Sequence, residues 1–213
     1  MSPEKSNDLI KKYPKIFSLI ANPGNPPNYP ISLFIFEHGD GWYNIIDKLC
    51  ANIQGRIDYS RKERARVLRY NRALKRAVNG DVDALERYYK YPGNDKWTKW
   101  AKDRAAEDLL KPVFKTVPEA VPQVVAEQVK EKFGGLRFYY RGGDDVIDGM
   151  LQMAESMSYV TCEECGSPAK STTGGWIVTM CQSCTDSREE RRQKELAEYN
   201  AKHKDVYEKL KQN

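Results

Sequence analysis

The sequence predicts an α+β protein: a small α/β core with a helical insertion, a cysteine-built module and a charged C-terminal helix. Three observations predict it. Apolar residues recur at helical spacing in several segments, short runs at 31–36 and 136–140 have strand character, and two C-x2-C pairs stand close together near the C-terminus. The 213 residues are 40% hydrophobic and 31% charged, and four Trp, thirteen Tyr and six Phe supply anchors for a core. No run approaches the ~20 apolar residues of a membrane helix, and the first fifteen residues lack the hydrophobic stretch of a signal peptide. A cytoplasmic protein of a reducing compartment, with no membrane partner, is expected.

Taken in order, residues 7–13 read as a short helix stopped by Pro14, and 23–30, with four prolines, as an extended loop. Residues 31–36 read as a strand and 37–41 as a turn, with Asp40 as the cap of a helix over 44–53. That helix places Ile45, Ile46, Leu49, Cys50 and Ile53 on one face, so Cys50 reads as a core cysteine. After Gly55 a separate helix is expected over 60–78, with Val67, Leu74 and Val78 sharing a face. A second helix starts at Asp81, and Tyr91-Pro92-Gly93-Asn94 ends it. A third carries Trp97, Trp100, Ala101 and Arg104 on one side.

The core resumes with an amphipathic helix over 118–133, Val121, Val124, Val125 and Val129 facing inward and Gly134-Gly135 at its end. Residues 136–140 form a strand. The helix after Asp144-Asp145, read as capping residues, has an apolar stripe of Val146, Ile147, Met150, Leu151, Ala154 and Met157. A packed helix face is the preferred reading of that stripe over an adaptable methionine groove. Five sections result: 1–55 and 118–160 as the two halves of the core, 56–117 as a basic insertion, 161–185 as the cysteine module, and 186–213 as the final helix. In that helix Leu196, Tyr199, His203, Val206 and Leu210 follow a 3-4 spacing, which suits docking on its own body, free projection or homodimerisation.

The cysteines carry the most specific signal. Cys162-x-x-Cys165 and Cys181-x-x-Cys184 are separated by fifteen residues, the spacing of structural zinc sites. Each two-residue spacer presents two thiolates to one ion, and two such turns complete a tetrahedron. Gly166 suits the positive φ of a knuckle, and Gly174-Gly175-Trp176 reads as the turn of a short hairpin, so a zinc ribbon holding one structural Zn2+ is expected. Disulfides would need an export route, and a redox pair would not need a second C-x-x-C.

Charge is segregated. Residues 56–76 hold nine basic side chains against two acidic ones, +7 in a chain whose total is +5, leaving −2 elsewhere. Arg61, Lys62, Arg64, Arg66, Arg69, Arg72, Lys75 and Arg76 wrap one helix, with Tyr70 and Asn71 available for stacking or base reading. This suits nucleic acid or an acidic partner as well as a solvated face. Catalytic signals are thin: two histidines, His38 and His203, lie far apart, and phosphate-loop, nucleophile-elbow and zinc-protease motifs are absent. A candidate pocket is drawn around Glu37, Asp40, Trp42 and Arg137, with no catalytic residue assigned; Glu163 and Glu164 are expected to face solvent.

The string Gln128-Val129-Lys130-Glu131-Lys132-Phe133-Gly134-Gly135-Leu136-Arg137-Phe138-Tyr139 resembles a motif of uncharacterised proteins of tailed bacteriophages and prophages. Residues 154–158, the Thr161-Cys162-Glu163-Glu164-Cys165-Gly166 knuckle, Gly174-Gly175-Trp176 and the Phe36–Asp47 signature match the same family. The resemblance covers 31–54 and 121–184, outside the basic insertion and the last helix. It implies a phage setting in the bacterial cytoplasm and brings no activity with it. The reading placed first is a non-enzymatic accessory protein that binds a host bacterial protein of defence or gene expression. Nucleic-acid binding through 60–76 is the alternative, and an enzyme acting on nucleic acid or nucleotide comes third.

Overall fold

The computed structural model describes residues 1–21, 31, 36–90, 98–172 and 175–211, the last helix with side chains through 203. The expected loop 23–30, most of the expected strand 31–36, the break at 91–94, Trp97, Gly174 and the side chains of Val206 and Leu210 lie outside them. The fold is α+β, helices with two small antiparallel sheets. The chain divides into two units, one of residues 1–53 and 123–213, the other Gln54–Pro122.

In the first unit, α1 (Pro3–Lys12) and α2 (Ser18–Ala21) precede a single 3-10 turn (Asp40–Trp42) and the long helix α3 (Tyr43–Val78). Ile45, Ile46, Leu49, Cys50 and Ile53 are buried along the opening turns of α3. Cys50 is fully buried, as expected, and burial pushes its thiol well above the ordinary value. Asp40 does not cap α3: its carboxylate accepts the Ser2 N–H (2.6 Å) at the start of α1 instead. Phe17, Phe36 and Phe138 meet edge-on or tilted at the centre of this core.

The expected break at Gly55 is absent, and α3 runs through it. Ile53 and Ile57, both buried, carry the apolar spacing across the glycine, and packing outweighs its cost of about 1 kcal/mol relative to alanine. A Cβ at Gly55 would meet nothing within 4 Å. Gly55→Ala is therefore expected to raise stability by about 0.5–1 kcal/mol, measured by urea melts; a loss would contradict the open environment.

The segment expected to be a helix over 118–133 is instead β1 (Val125–Lys132), paired with β2 (Gly135–Arg141) in an antiparallel hairpin. The register shifts between Ala126 and Gln128, so the buried positions fall at Val124, Ala126 and Val129. An extra residue in a strand turns a two-residue period into a local three-residue step, which imitates helical spacing. Phe133 and Gly134 join the strands with φ of 54° and 76°, both positive as a tight two-residue hairpin turn requires. Glu37 bridges Lys130 in parallel along β1.

Helix α6 (Asp145–Ser158) packs on β2, and its cap Asp144 accepts the Ile147 N–H (3.2 Å). Its stripe is narrower than expected. Ile147, Leu151 and Ala154 are buried, whereas Val146, Met153 and Met157 are exposed. β3 (Lys170–Ser171) and β4 (Thr179–Met180) form the second sheet, and α7 (Gln182–Lys211) follows, its side chains exposed from 185 to 202. Among the described residues no helix is long and apolar enough to cross a membrane.

In the second unit, the later turns of α3 pack against α4 (Asp83–Tyr89) and α5 (Thr98–Leu110). Tyr70, Ala73, Leu74, Ala77, Ala84, Leu85 and Ala105 form the core, bordered by Tyr88 and Tyr89; Val78, expected on the inner face, is exposed. The segment after α5 returns along α3. Arg64 donates to the Pro118 carbonyl (2.7 Å), and Ser60 Oγ accepts the Val121 N–H (2.9 Å).

His38 lies between Phe36 and Trp42, 6% exposed. Its Nδ1 donates to the Gly39 carbonyl (2.8 Å), and burial pulls its pKa down to about 4. The unfolded chain therefore takes up a proton that the folded one refuses. Stability is full above pH 6.5 and falls as pH drops toward 4, by about 2 kcal/mol at pH 5. Urea melts at pH 7.5 and pH 5 check this: His38→Gln should lose that much less than the parent protein on acidification. Equal losses would contradict it.

Candidate metal centre and basic helix face

The four-cysteine cluster, the candidate metal centre, is assembled by a turn, a hairpin and a helix start. After α6, the Cys162 N–H donates to the Ser167 carbonyl (2.7 Å) and the Gly166 N–H to the Cys162 carbonyl (2.9 Å). Gly166 has φ of +79°, the left-handed conformation expected for it. The Glu163 N–H donates to the Thr179 carbonyl (2.9 Å), fastening this turn to β4. The second pair needs no such glycine because α7 begins there: Cys181 precedes the helix and Cys184 lies in its first turn, where free N–H groups favour anionic sulfur.

The four Sγ atoms lie within 4.8 Å of one another, and Cys165 and Cys181 are 3.6 Å apart. A tetrahedral ion with metal–sulfur bonds of ~2.3 Å needs sulfurs about 3.8 Å apart, whereas a disulfide needs about 2.05 Å. All four are free cysteines, so the set fits a metal ion. The Ser183 hydroxyl, helped by the Cys184 N–H, brings the Cys181 thiol down to about 6, and Ser167 lowers that of Cys165. Cys184 is pushed up because Cys181 and Cys165 crowd it. Sulfurs this close cannot all ionise unaided, and a bound cation removes the conflict. Four protein donors fill a tetrahedron and leave no position for substrate.

The body grips the first cysteine turn closely. Gly41 N–H donates to the Glu163 carbonyl (2.6 Å), and Trp42 Nε1 to the Thr161 carbonyl (2.9 Å). Gly39 N–H donates to Glu163 Oε1 (3.0 Å), so Glu163 does not face solvent as expected; burial raises its carboxyl above the ordinary value. A Cβ on Gly41 would stand 2.1 Å from the Cys162 carbonyl oxygen and 2.4 Å from the Gly166 nitrogen. The tip of the β1–β2 hairpin is held by Thr179, whose hydroxyl donates to the Gly134 carbonyl (2.5 Å).

The pocket expected around Glu37, Asp40, Trp42 and Arg137 resolves into separate structural roles. Trp42 is fully buried, Asp40 holds the start of α1, and Glu37 pairs with β1 and accepts from Gln128. Arg137 donates to the Tyr159 hydroxyl (2.6 Å) and stands 3.8 Å from Glu155.

On α3, Arg61, Lys62, Arg66, Arg69, Arg72, Lys75 and Arg76 are exposed and Arg64 is half-buried. Arg66 pairs with Glu63 (2.9 Å) and Arg76 with Asp81 (2.6 Å). Arg61, Lys62, Arg69, Arg72 and Lys75 hold no ion pair among the described residues. Tyr70 and Asn71 are not available for bases: Tyr70 is 3% exposed under Lys115, and both ends of the Asn71 amide are tied to the Lys115 backbone (2.7 and 2.9 Å).

One surface was not anticipated. Phe133 (65% exposed) and Trp176 (77%) line a common hollow beside Ile177. The strained Phe133 turn is the signal that marks it, hidden by the helical reading of 118–133. The methionine groove, by contrast, exists: Met150, Met153 and Met157 line an apolar hollow of about 530 Å³ with Ile45 and Leu49. No family model, no curated protein and no solved structure matches the chain.

Proposed function

We propose that this is a nucleic-acid-binding protein whose contact surface is the exposed face of α3, on a scaffold closed by one structural zinc ion. The observation that carries the reading is the run of five exposed cations, Arg61, Lys62, Arg69, Arg72 and Lys75, without ion-pair partners among the described residues. Cations left unpaired on one helix face favour a polyanionic partner. Zinc is the ion that an all-thiolate tetrahedral set suits best, and it has no vacancy for catalysis here. The resemblance to phage proteins supplies the setting, the bacterial cytoplasm during infection.

The sequence ranked a host protein before nucleic acid, and the partner-free cations reverse that order. Host-protein binding stays as the second reading because of the methionine groove, since flexible apolar side chains at a surface suit adaptable protein contacts. Leu196 and Tyr199, both exposed on α7, support self-association along the seam expected there.

The test replaces Arg69, Arg72 and Lys75 with glutamate and measures nucleic-acid binding by fluorescence anisotropy. At least a hundredfold loss is expected with the thermal melt unchanged, since all three side chains are exposed. Undiminished affinity would remove α3 from the function.

A further inference from the structure

We infer that the polyanion is duplex DNA, gripped through its phosphates along α3 rather than read by its bases. This rests on the nucleic-acid reading above and names its substrate class.

Arg61, Arg72 and Lys75 lie on the side of α3 opposite Tyr70, Leu74 and Ala77, which are buried, and Lys62 and Arg69 stand on the flank beside it. Arg61 to Lys75 covers about 21 Å at 1.5 Å per residue. That length of B-form duplex carries about twelve phosphates, so five cations find partners without bending it. A helix with its side chains is about 10–12 Å across, matching a B-form major groove of about 12 Å; the A-form groove of duplex RNA is too narrow.

The same face argues against single strands and against base reading. Sequence-tolerant binding of single strands needs aromatic rings beside the cations, on which bases stack. Between Arg61 and Lys75 the large exposed side chain is Leu68, and the ring in that stretch, Tyr70, is sealed in the core; the exposed Tyr59 before Arg61 is a lone ring, where stacking successive bases needs several. Asn71, whose amide would suit adenine, spends both ends on the Lys115 backbone. Charge complementarity reaches beyond one helix. Residues 54–122 hold 17 basic and 10 acidic side chains, a net +7, against −2 for the rest of the chain. The polyanion is therefore drawn to this unit.

The experiment titrates the full, zinc-loaded chain by fluorescence anisotropy against two 20-base-pair DNA duplexes, one G·C-rich and one A·T-rich, plus one of their single strands and an RNA duplex. Both DNA duplexes should bind within about threefold of each other and at least tenfold tighter than the single strand or the RNA. With five phosphate contacts the log–log salt slope should be about −4 to −5, a loss of about 500-fold between 50 and 200 mM salt. Arg72→Gln with Lys75→Gln should flatten that slope by about two. Preference for the single strand or the RNA, or a tenfold preference between the duplexes, overturns the inference and leaves the nucleic-acid reading standing. No binding to any of the four overturns both.

Discussion

Purified protein is expected to carry one zinc ion per chain, and Cys162→Ser is expected to lose both the ion and the fold of residues 161–184. Cys162 is the fully buried member of the four, and its backbone makes two of the hydrogen bonds that shape the first turn. Structural zinc contributes about 10–16 kcal/mol in small peptides, comparable with the whole stability of a domain, about 5–15 kcal/mol. Two strands of two residues each cannot hold this segment together without it. Metal content by mass spectrometry gives the stoichiometry, and near-UV circular dichroism gives the fold, because Trp42 donates to the Thr161 carbonyl beside the centre. A chelated protein with unchanged near-UV spectrum and unchanged melt would refute a structural role for the ion.

Gly41→Ala should be the most damaging single methyl group in the first unit. The added carbon would sit 2.1 Å from the Cys162 carbonyl oxygen and 2.7 Å from that of Glu163, with no flexible side chain to give way. The first cysteine turn must then leave its seat, losing the Gly41 to Glu163 and Trp42 to Thr161 hydrogen bonds. We expect a loss of about 3 kcal/mol or more, and zinc affinity weaker by 10–100-fold, about the effect of removing a support for metal ligands. Competition with a zinc-binding dye reads the affinity, and a thermal melt the stability. Normal zinc affinity with normal stability would mean that the turn is not seated on the 38–42 segment. The same substitution at Gly55 is expected to act in the opposite direction, which separates close approach from helix propensity.

The four cysteines were legible because ligand spacing is a local constraint that no tertiary contact needs to complete. The hairpin was hidden because its bulge beside Glu127 broke the two-residue period, the one signal by which a strand declares itself. Gly55 misled for another reason: helix propensity is worth about 1 kcal/mol, and the buried Ile53 and Ile57 on either side outweigh it. Asp40 had the right chemistry for a cap, yet the helix it holds begins some forty residues earlier in the chain, which no local pattern records. The basic face was legible as composition, but which of its residues are free was not. That depended on Glu63, Asp81 and the returning segment 111–122, each of which takes an arginine or an amide out of play.

Ser60 brings together the two ends of the second unit. Its hydroxyl accepts from Val121 and donates to the Glu119 carbonyl (3.4 Å), and one turn further Arg64 holds Pro118. An excursion of some sixty residues therefore starts and finishes at one spot, and the unit itself provides the contacts that close the loop. A segment with adjacent ends behaves as a cassette, able to enter or leave a gene in one step without redrawing the protein around it. On that view the body with the four cysteines is a frame, and the arginine-bearing unit an insert pinned to it at one place.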